Sequence, residues 1–328
     1  MSDSDTRRIV ILGKTGSGKS SLANTIFKEQ LFNDNPTLNS GTKKCRAETR
    51  TVKGRRITLI DTPGFFDTDI PEEKLKPEIL RCIIECSPGP HAFLIVFKVE
   101  KITKHEQEVA KKISEYFSEE AFKYATVVFT HGEQLPKGQK IEDLVQQNKY
   151  MSELVRKCGG RCHIIDNKNW NGSSEDKYRT NTFQVKKLLE TINKTVEANN
   201  GNCYTTELGK GVEQKIQQQE RCIAKISPHM SKEETREKAK SNVFHRFLVR
   251  ATGVGVGALF GAYYGARKDD AFKVIFVLLH DALEGAVAGY HAVEEAETVW
   301  EAVEKAAEAV KAQHVKMKSG CTGGITIT

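Results

Sequence analysis

None of the eight cysteines, at positions 45, 82, 86, 158, 162, 203, 222 and 321, stands in the CxxC spacing common in zinc sites, although two pairs have CxxxC spacing. A structural zinc site therefore has little to stand on, and reduced, mostly buried thiols in a cytosolic protein are the expected state. The opening residues Met1-Ser2-Asp3-Ser4-Asp5 are polar and acidic, so no secretory signal is expected, and Ser2 stands where myristoylation needs glycine. Residues 321–328 do not form a prenylation box. No large charge excess is present either. A net charge of +7 over 328 residues fits a weak preference for acidic surfaces and does not call for nucleic acid. That length has room for one large domain, or one domain with a sizeable appendage, and a core is affordable by size alone.

What is present is a phosphate-binding signature. Gly13-Lys14-Thr15-Gly16-Ser17-Gly18-Lys19-Ser20 follows the apolar run 9–12 and leads through Ser21 into a helical pattern over 20–28. Strand, glycine-rich turn and helix is the context in which GxxxxGKS binds phosphate. The glycines let successive backbone N–H groups turn inward on a polyphosphate, and the helix adds the positive end of its dipole. Lys19 is expected to reach the β- and γ-phosphates, and the Ser20 hydroxyl to take a Mg²⁺ position.

Apolar or β-branched runs at 9–12, 57–60, 92–99, 125–129 and 162–165 alternate with helical patterns at 20–28, 72–86, 104–117, 141–156 and 177–197. Thr103 and Glu106 have capping-box spacing at the start of the third helix. Such alternation predicts a mostly parallel sheet with helices on both faces and the ligand at the carboxyl ends of the strands. Asp61-Thr62-Pro63-Gly64 directly follows the second run. Asp61 is placed to hold Mg²⁺ through water, and the Gly64 N–H to contact a γ-phosphate whose loss releases the segment beyond. Residues 30–51 read as a polar, turn-rich loop. Thr42 is the candidate hydroxyl that meets Mg²⁺ only when a γ-phosphate is bound, with Thr37 as its competitor.

Base recognition is expected after the later strands. The run 125–129 ends in Thr130-His131-Gly132-Glu133, where G domains carry Asn-Lys-x-Asp. Glu133 offers two carboxylate oxygens to the guanine edge, at about 1.5–3 kcal/mol for each charge-assisted bond, and His131 is placed to stack over the ring. After the next run come Asp166-Asn167-Lys168, with Asn167 either bonding the base or supporting the loop.

Together these residues resemble the GTPase of immunity-associated protein (GIMAP) family, also called immunity-associated nucleotide-binding proteins, over residues 7 to about 200. The most distinctive stretch is Cys86-Ser87-Pro88-Gly89-Pro90-His91-Ala92, similar to the Pro-Gly-Pro-His-Ala signature of that family. The resemblance implies a septin- and Toc-related P-loop G domain, binding GTP or GDP with Mg²⁺ and forming dimers or oligomers through the nucleotide face. Three departures stand out. Phe65 occupies the place of the Ras-like water-positioning glutamine, as in the family. Lys101, in Val99-Glu100-Lys101-Ile102-Thr103, replaces the arginine that hydrolytic members donate across the dimer, and a lysine lacks the planar fork of arginine. Asp166-Asn167 stands where two asparagines are common.

The remainder is expected to be helical. Leu208, Val212, Ile216, Ile223 and Ile226 form a stripe that stops at Ser227-Pro228, and Ser231 with Glu234 has capping-box spacing for the next helix. The stripe either packs near the switch loops, as in the family, or lies in an exposed coiled coil. Gly253, Gly257, Gly261 and Gly265 are each four apart within an uncharged stretch, 251–266. Its 16 residues fall short of the roughly 20 that a bilayer crossing takes. That stretch packs on a helix at 272–292, inserts peripherally in a membrane, or self-associates. Residues 294–310 form an acidic, alanine-rich helix pattern. The expected organisation is an α/β P-loop G domain at 7–200 after a polar tail (1–6), then a helical extension (201–250), a glycine-spaced hydrophobic segment with helices (251–318) and a disordered end (319–328). The expected function is a GTP/GDP switch, cytoplasmic or peripheral on an intracellular membrane, with slow Mg²⁺-dependent hydrolysis in which Lys19, Thr42 and Lys101 take part. The alternative is a non-hydrolysing scaffold that assembles with GTP on a membrane surface.

Overall fold

Five of the apolar runs become strands of one sheet. The structure, a computed structural model of the chain, describes residues 6–32, 42, 44–65, 72–170 and 176–263. It divides into two units, Met1–Gly209 and Lys210–Thr328. In the first unit the strands are β1 (Arg7–Gly13), β2 (Arg46–Val52), β3 (Arg55–Asp61), β4 (Ala92–Lys98), β5 (Ala125–Thr130) and β6 (Cys162–Ile164). Their order is β2-β3-β1-β4-β5-β6, parallel throughout except for the antiparallel β2–β3 pair.

Because side chains alternate along a strand, the apolar runs supply two cores at once. Ile9, Ile11, Leu94, Val96 and Val128 meet α1 (Lys19–Phe27) and α6 (Asn181–Ala198) through Leu22, Ile26, Leu188 and Ile192. On the other face Val10, Leu12, Phe93, Ile95, Val127 and Phe129 pack with α2 (Glu72–Glu85), α3 (Lys104–Phe117), α4 (Ile141–Gln147) and α5 (Lys149–Lys157). Each fully buried Val, Leu, Ile or Phe contributes about 1.5–3 kcal/mol. The strand ends that carry the loops are therefore anchored from both sides.

Three expectations need correction. The polar segment 30–51 is not loop throughout, since Arg46–Val52 is an edge strand in register with β3, Arg46 facing Asp61 and Val52 facing Arg55. Its charges pair along the strand, Arg46 and Arg50 both reaching Glu48, at 2.8 and 3.5 Å. The pattern at 141–156 is two helices, broken at Asn148, whose side chain caps α5 by accepting from the Met151 N–H. The last helix of the unit begins only at Asn181, where the Thr180 hydroxyl accepts from Phe183 N–H after a single helical turn at Lys177–Arg179.

The Pro-Gly-Pro-His stretch closes the sheet end opposite the phosphate loop. Arg8 Nε donates to the Gly89 carbonyl at 2.8 Å, and the Arg8 N–H donates to His91 Nδ1 at 3.0 Å. Burial, with the Arg8 and Arg7 charges, lowers the His91 pKa to about 3, which keeps that nitrogen an acceptor. The Pro90 carbonyl accepts from Tyr204 N–H at 2.8 Å. The Tyr204 ring lies edge-on to Phe93 and Tyr124, and its hydroxyl donates to the Phe117 carbonyl. The stretch thus holds the chain as it leaves α6.

Then follow α7 (Glu207–Ile226), whose first residues close the first unit, and α8 (Lys232–Tyr263) in the second. The reciprocal Ser231–Glu234 bonds cap α8, at 2.9 and 3.1 Å. Arg236 ties the helices together through Glu213 at 2.8 Å and Glu220 at 3.1 Å. Val212, Ile216 and Ile223 are buried, but Ile226 is 81% exposed, so the stripe ends one turn earlier than its spacing predicts. Among the described residues no helix is long and apolar enough to cross a membrane. Thr37, the helix pattern at 272–292, the acidic segment 294–310 and the tail 319–328 lie outside the described residues.

Candidate nucleotide site

The parallel register sets the carboxyl ends of β1, β3, β4 and β5 side by side, Ile11 beside Asp61 and Gly13 beside Val96. Residues Gly13–Ser20 turn over that edge. Gly18 sits at φ 86°, a left-handed conformation, and a Cβ there would press on Asn167 Nδ2 at 3.1 Å and Thr130 Cγ2 at 3.2 Å. Lys19 is buried, with its ammonium spanning the loop to the carbonyls of Gly13 (3.0 Å) and Lys14 (2.8 Å). Thr15 and Gly16 are exposed at the tip, and Ser21 is half-buried in the first turn of α1.

Beneath the loop three oxygens converge. Ser20 Oγ donates to Asp61 Oδ2 at 2.6 Å and lies 2.9 Å from Thr42 Oγ1, which is itself 3.3 Å from the same carboxylate oxygen. Asp61 is 1% exposed, and its other oxygen, Oδ1, has no hydrogen-bond partner among the described residues. Burial pushes the Asp61 pKa up against Lys19, Ser20 and Thr42, which pull it down. An unmatched buried carboxylate oxygen costs upwards of about 1–3 kcal/mol. Two hydroxyls and a carboxylate are the hard oxygen donors that suit Mg²⁺, and the unmatched Oδ1 fits a cation there. The chain then runs through buried Gly64. Phe65 is 0% exposed, its ring in the core, so it offers nothing to orient water.

The base loops are tied to one another more tightly than their sequences suggest. His131 sits at φ 60°, and its Nδ1 lies 3.2 Å from Glu133 Oε1, which holds the half-exposed carboxylate beside the ring. Asp166, buried at 1% exposure, accepts from the N–H groups of Glu133, Lys168 and Asn169, each at 2.9 Å. Burial opposes ionisation, yet these donors hold its carboxyl below the usual range. Asn167 reaches back to α1, accepting from Thr25 Oγ1 at 3.1 Å, and Thr130 Oγ1 donates to the Ser17 carbonyl at 2.8 Å. A cavity of about 360 Å³ opens beside Ser21, Thr25 and Asn167.

The contacts of four residues escape sequence reasoning. Asp166 joins the two base loops, and Thr130 links the first of them to the phosphate loop. Trp170 packs so closely on Gly132 that a Cβ there would stand 2.7 Å from the indole. Glu106 takes the Lys14 ammonium at 2.9 Å. Lys101, by contrast, is exposed and makes no hydrogen bond or ion pair among the described residues.

A mostly parallel six-stranded sheet with a glycine-rich GKS loop after β1 and an aspartate ending the adjacent β3 defines a P-loop G domain. The profile described as the AIG1 family matches residues 7–223, and the chain belongs to that family. Among curated relatives it is similar to immune-associated nucleotide-binding protein 9 of Arabidopsis thaliana, 32% identical over 63% of this chain and 60% of that protein. It is also similar to GTPase IMAP family member 8 of Homo sapiens, 31% identical over 59% of this chain and 28% of that protein. The chain thus spans under two thirds of the length of these two relatives. Among solved structures, Toc33 from Arabidopsis thaliana in complex with GDP and Mg²⁺ shares 21% identity over 60% of this chain and 85% of that one, with a TM-score of 0.47.

Proposed function

We propose that this chain is a guanine-nucleotide switch that binds GTP and GDP with Mg²⁺, dimerises through its nucleotide face and hydrolyses GTP slowly. The observation that carries the reading is the meeting of Ser20, Thr42 and Asp61 under the phosphate loop, within 3.3 Å of one another. Residue Thr42 comes from the segment before β2 and Asp61 from the end of β3, so a terminal phosphate at this point would bias both flanking loops. Ser20, Thr42 and Asp61 would hold the cation, which when bound supplies positive charge to the phosphate oxygens. The backbone of residues 13–20, with Ser21 and the Gly64 N–H, would line the phosphates, and Lys19 would turn its ammonium from the loop carbonyls to the β- and γ-oxygens.

For the base, Glu133 would accept from the guanine edge, with His131 flanking the ring and Asn167 beside it. Glu133→Ala is expected to weaken GTP binding by about 100-fold, since two charge-assisted bonds of roughly 1.5–3 kcal/mol are lost. Fluorescent-nucleotide titration measures this, and unchanged affinity in the variant rules the assignment out.

Hydrolysis needs a water aimed at the γ-phosphorus and positive charge at the leaving oxygens. Phe65 cannot orient that water, and Lys101, exposed and uncommitted among the described residues, is the residue we assign to add positive charge from a second copy. Single-turnover GTP hydrolysis at rising protein concentration tests this. The rate is expected to climb with concentration and to fall roughly tenfold or more in Lys101→Ala, a fraction of what an arginine finger contributes. The buried Phe65 and the missing arginine also favour a second reading, a non-hydrolysing GTP-dependent scaffold on a membrane surface, for which residues 251–292 would supply the lipid contact. That reading expects no rate above background at any concentration.

A further inference from the structure

The Thr103–Glu106 capping box does more than start a helix. In an ordinary box the glutamate satisfies the backbone at its own helix start. Here one oxygen, Oε2, accepts from the Thr103 N–H at 3.1 Å and from the Thr103 hydroxyl. The other, Oε1, takes the Lys14 ammonium at 2.9 Å, 92 residues away in the phosphate loop. The Glu106 carbonyl accepts from Tyr150 Oη at 3.1 Å, which pins the residue from α5. Lys14 in turn gives its carbonyl to Lys19 at 2.8 Å. A continuous path therefore runs from the Lys19 ammonium through Lys14 and Glu106 to Thr103, two residues beyond Lys101.

Magnitudes decide what this path is for. The side chains of Lys14 and Glu106 are 29% and 15% exposed, and a single ion pair still open to solvent at one edge is a weak argument for stability. A weak tie between two loops still fixes their spacing. The loop tied to the phosphate cradle is the one that presents Lys101.

We infer that Glu106 is a positioning residue that couples the phosphate loop of one subunit to the Lys101 loop of the same subunit. Filling the phosphate loop and drawing Lys19 off the Lys14 carbonyl then shifts the Lys14–Glu106 tie and sets Lys101 for the partner. This rests on the role proposed for Lys101.

The test is a double-mutant cycle on the full chain, with GTP hydrolysis followed at several protein concentrations. Glu106→Gln keeps an acceptor for the cap but loses the charge on Lys14. The concentration-dependent part of kcat is expected to fall about 3- to 30-fold, with KM altered less than about twofold. The Lys101→Ala/Glu106→Gln double variant is expected to be no slower than Lys101→Ala alone, because Glu106 acts only through Lys101. Thr103→Ala removes the hydroxyl bond to Glu106 and leaves only the backbone N–H on Oε2. It therefore weakens the path on its other side and is expected to give a smaller loss that likewise disappears in the Lys101→Ala background, a second route to the test should Glu106→Gln fold poorly. Losses that multiply, or a Glu106→Gln effect confined to KM, overturn the inference while leaving Lys101 in place. A parent rate that does not climb with concentration, or that ignores Lys101→Ala, overturns the inference and the Lys101 role together.

Discussion

Lys19→Ala is expected to lower GTP affinity by at least about 100-fold while leaving the melting temperature of the domain close to that of the parent. The ammonium is buried and already aligned, donating to the carbonyls of Gly13 and Lys14. A phosphate entering the loop replaces those neutral acceptors with charged ones. Each charge-assisted bond is worth about 1.5–3 kcal/mol, and each 1.4 kcal/mol is a factor of ten. Two such bonds give at least two decades. The fold loses little, because strands β1, β3 and β4 beneath the loop are held by apolar burial on both faces and not by the lysine. Nucleotide titration beside a thermal melt separates the two effects, and parent-like GTP affinity in the variant contradicts the assignment of the phosphate loop.

Gly89→Ala is expected to act in the opposite sense, costing stability before it touches binding. A Cβ at Gly89 would overlap the carbonyl oxygen of Tyr204, a backbone atom that cannot rotate away. Accommodating it means undocking Tyr204, with loss of the Tyr204 N–H bond to Pro90 and of the ring contacts with Phe93 and Tyr124. Burial loss of an aromatic side chain costs about 3–5 kcal/mol when complete. At roughly 2–4 °C per kcal/mol for a domain of this size, the melting temperature is expected to drop on the order of 10 °C. Since Gly89 lies at the sheet end away from the phosphate loop, GTP affinity measured well below the melt should stay near that of the parent. An unchanged melt would mean that the Pro-Gly-Pro-His stretch does not clamp the chain after α6.

What could be read in the sequence follows a physical divide. The phosphate loop needs its residues consecutive, so its chemistry is written in one line of eight. Strands buried on both faces need a largely apolar or β-branched run, and β1, β3, β4, β5 and β6 each announce themselves by one. The edge strand β2 does not, because neither of its faces lies deep in a core. Its Arg46, Glu48 and Arg50 satisfy one another along the strand, which reads as a polar loop. The break at Asn148 was written locally, as an asparagine able to cap the following turn, but the helical period across 141–156 masked it. Other features are long-range by nature. Asp166 matters because its carboxylate collects an N–H from Glu133, 33 residues earlier, and Gly132 because an indole from Trp170 lies against it. The box formed by Thr103 and Glu106 was legible from its spacing of three. That its second oxygen holds Lys14 was not.

The most direct measurement is calorimetric titration of the purified 328-residue chain with GTP, GDP and ATP, each with and without Mg²⁺. The triad of Ser20, Thr42 and Asp61 beneath an amide-lined loop predicts saturable one-site binding of GTP and GDP, at least tenfold tighter for GTP when Mg²⁺ is present, and weak or absent binding of ATP. No Mg²⁺-dependent affinity for either guanine nucleotide would contradict the account at its root.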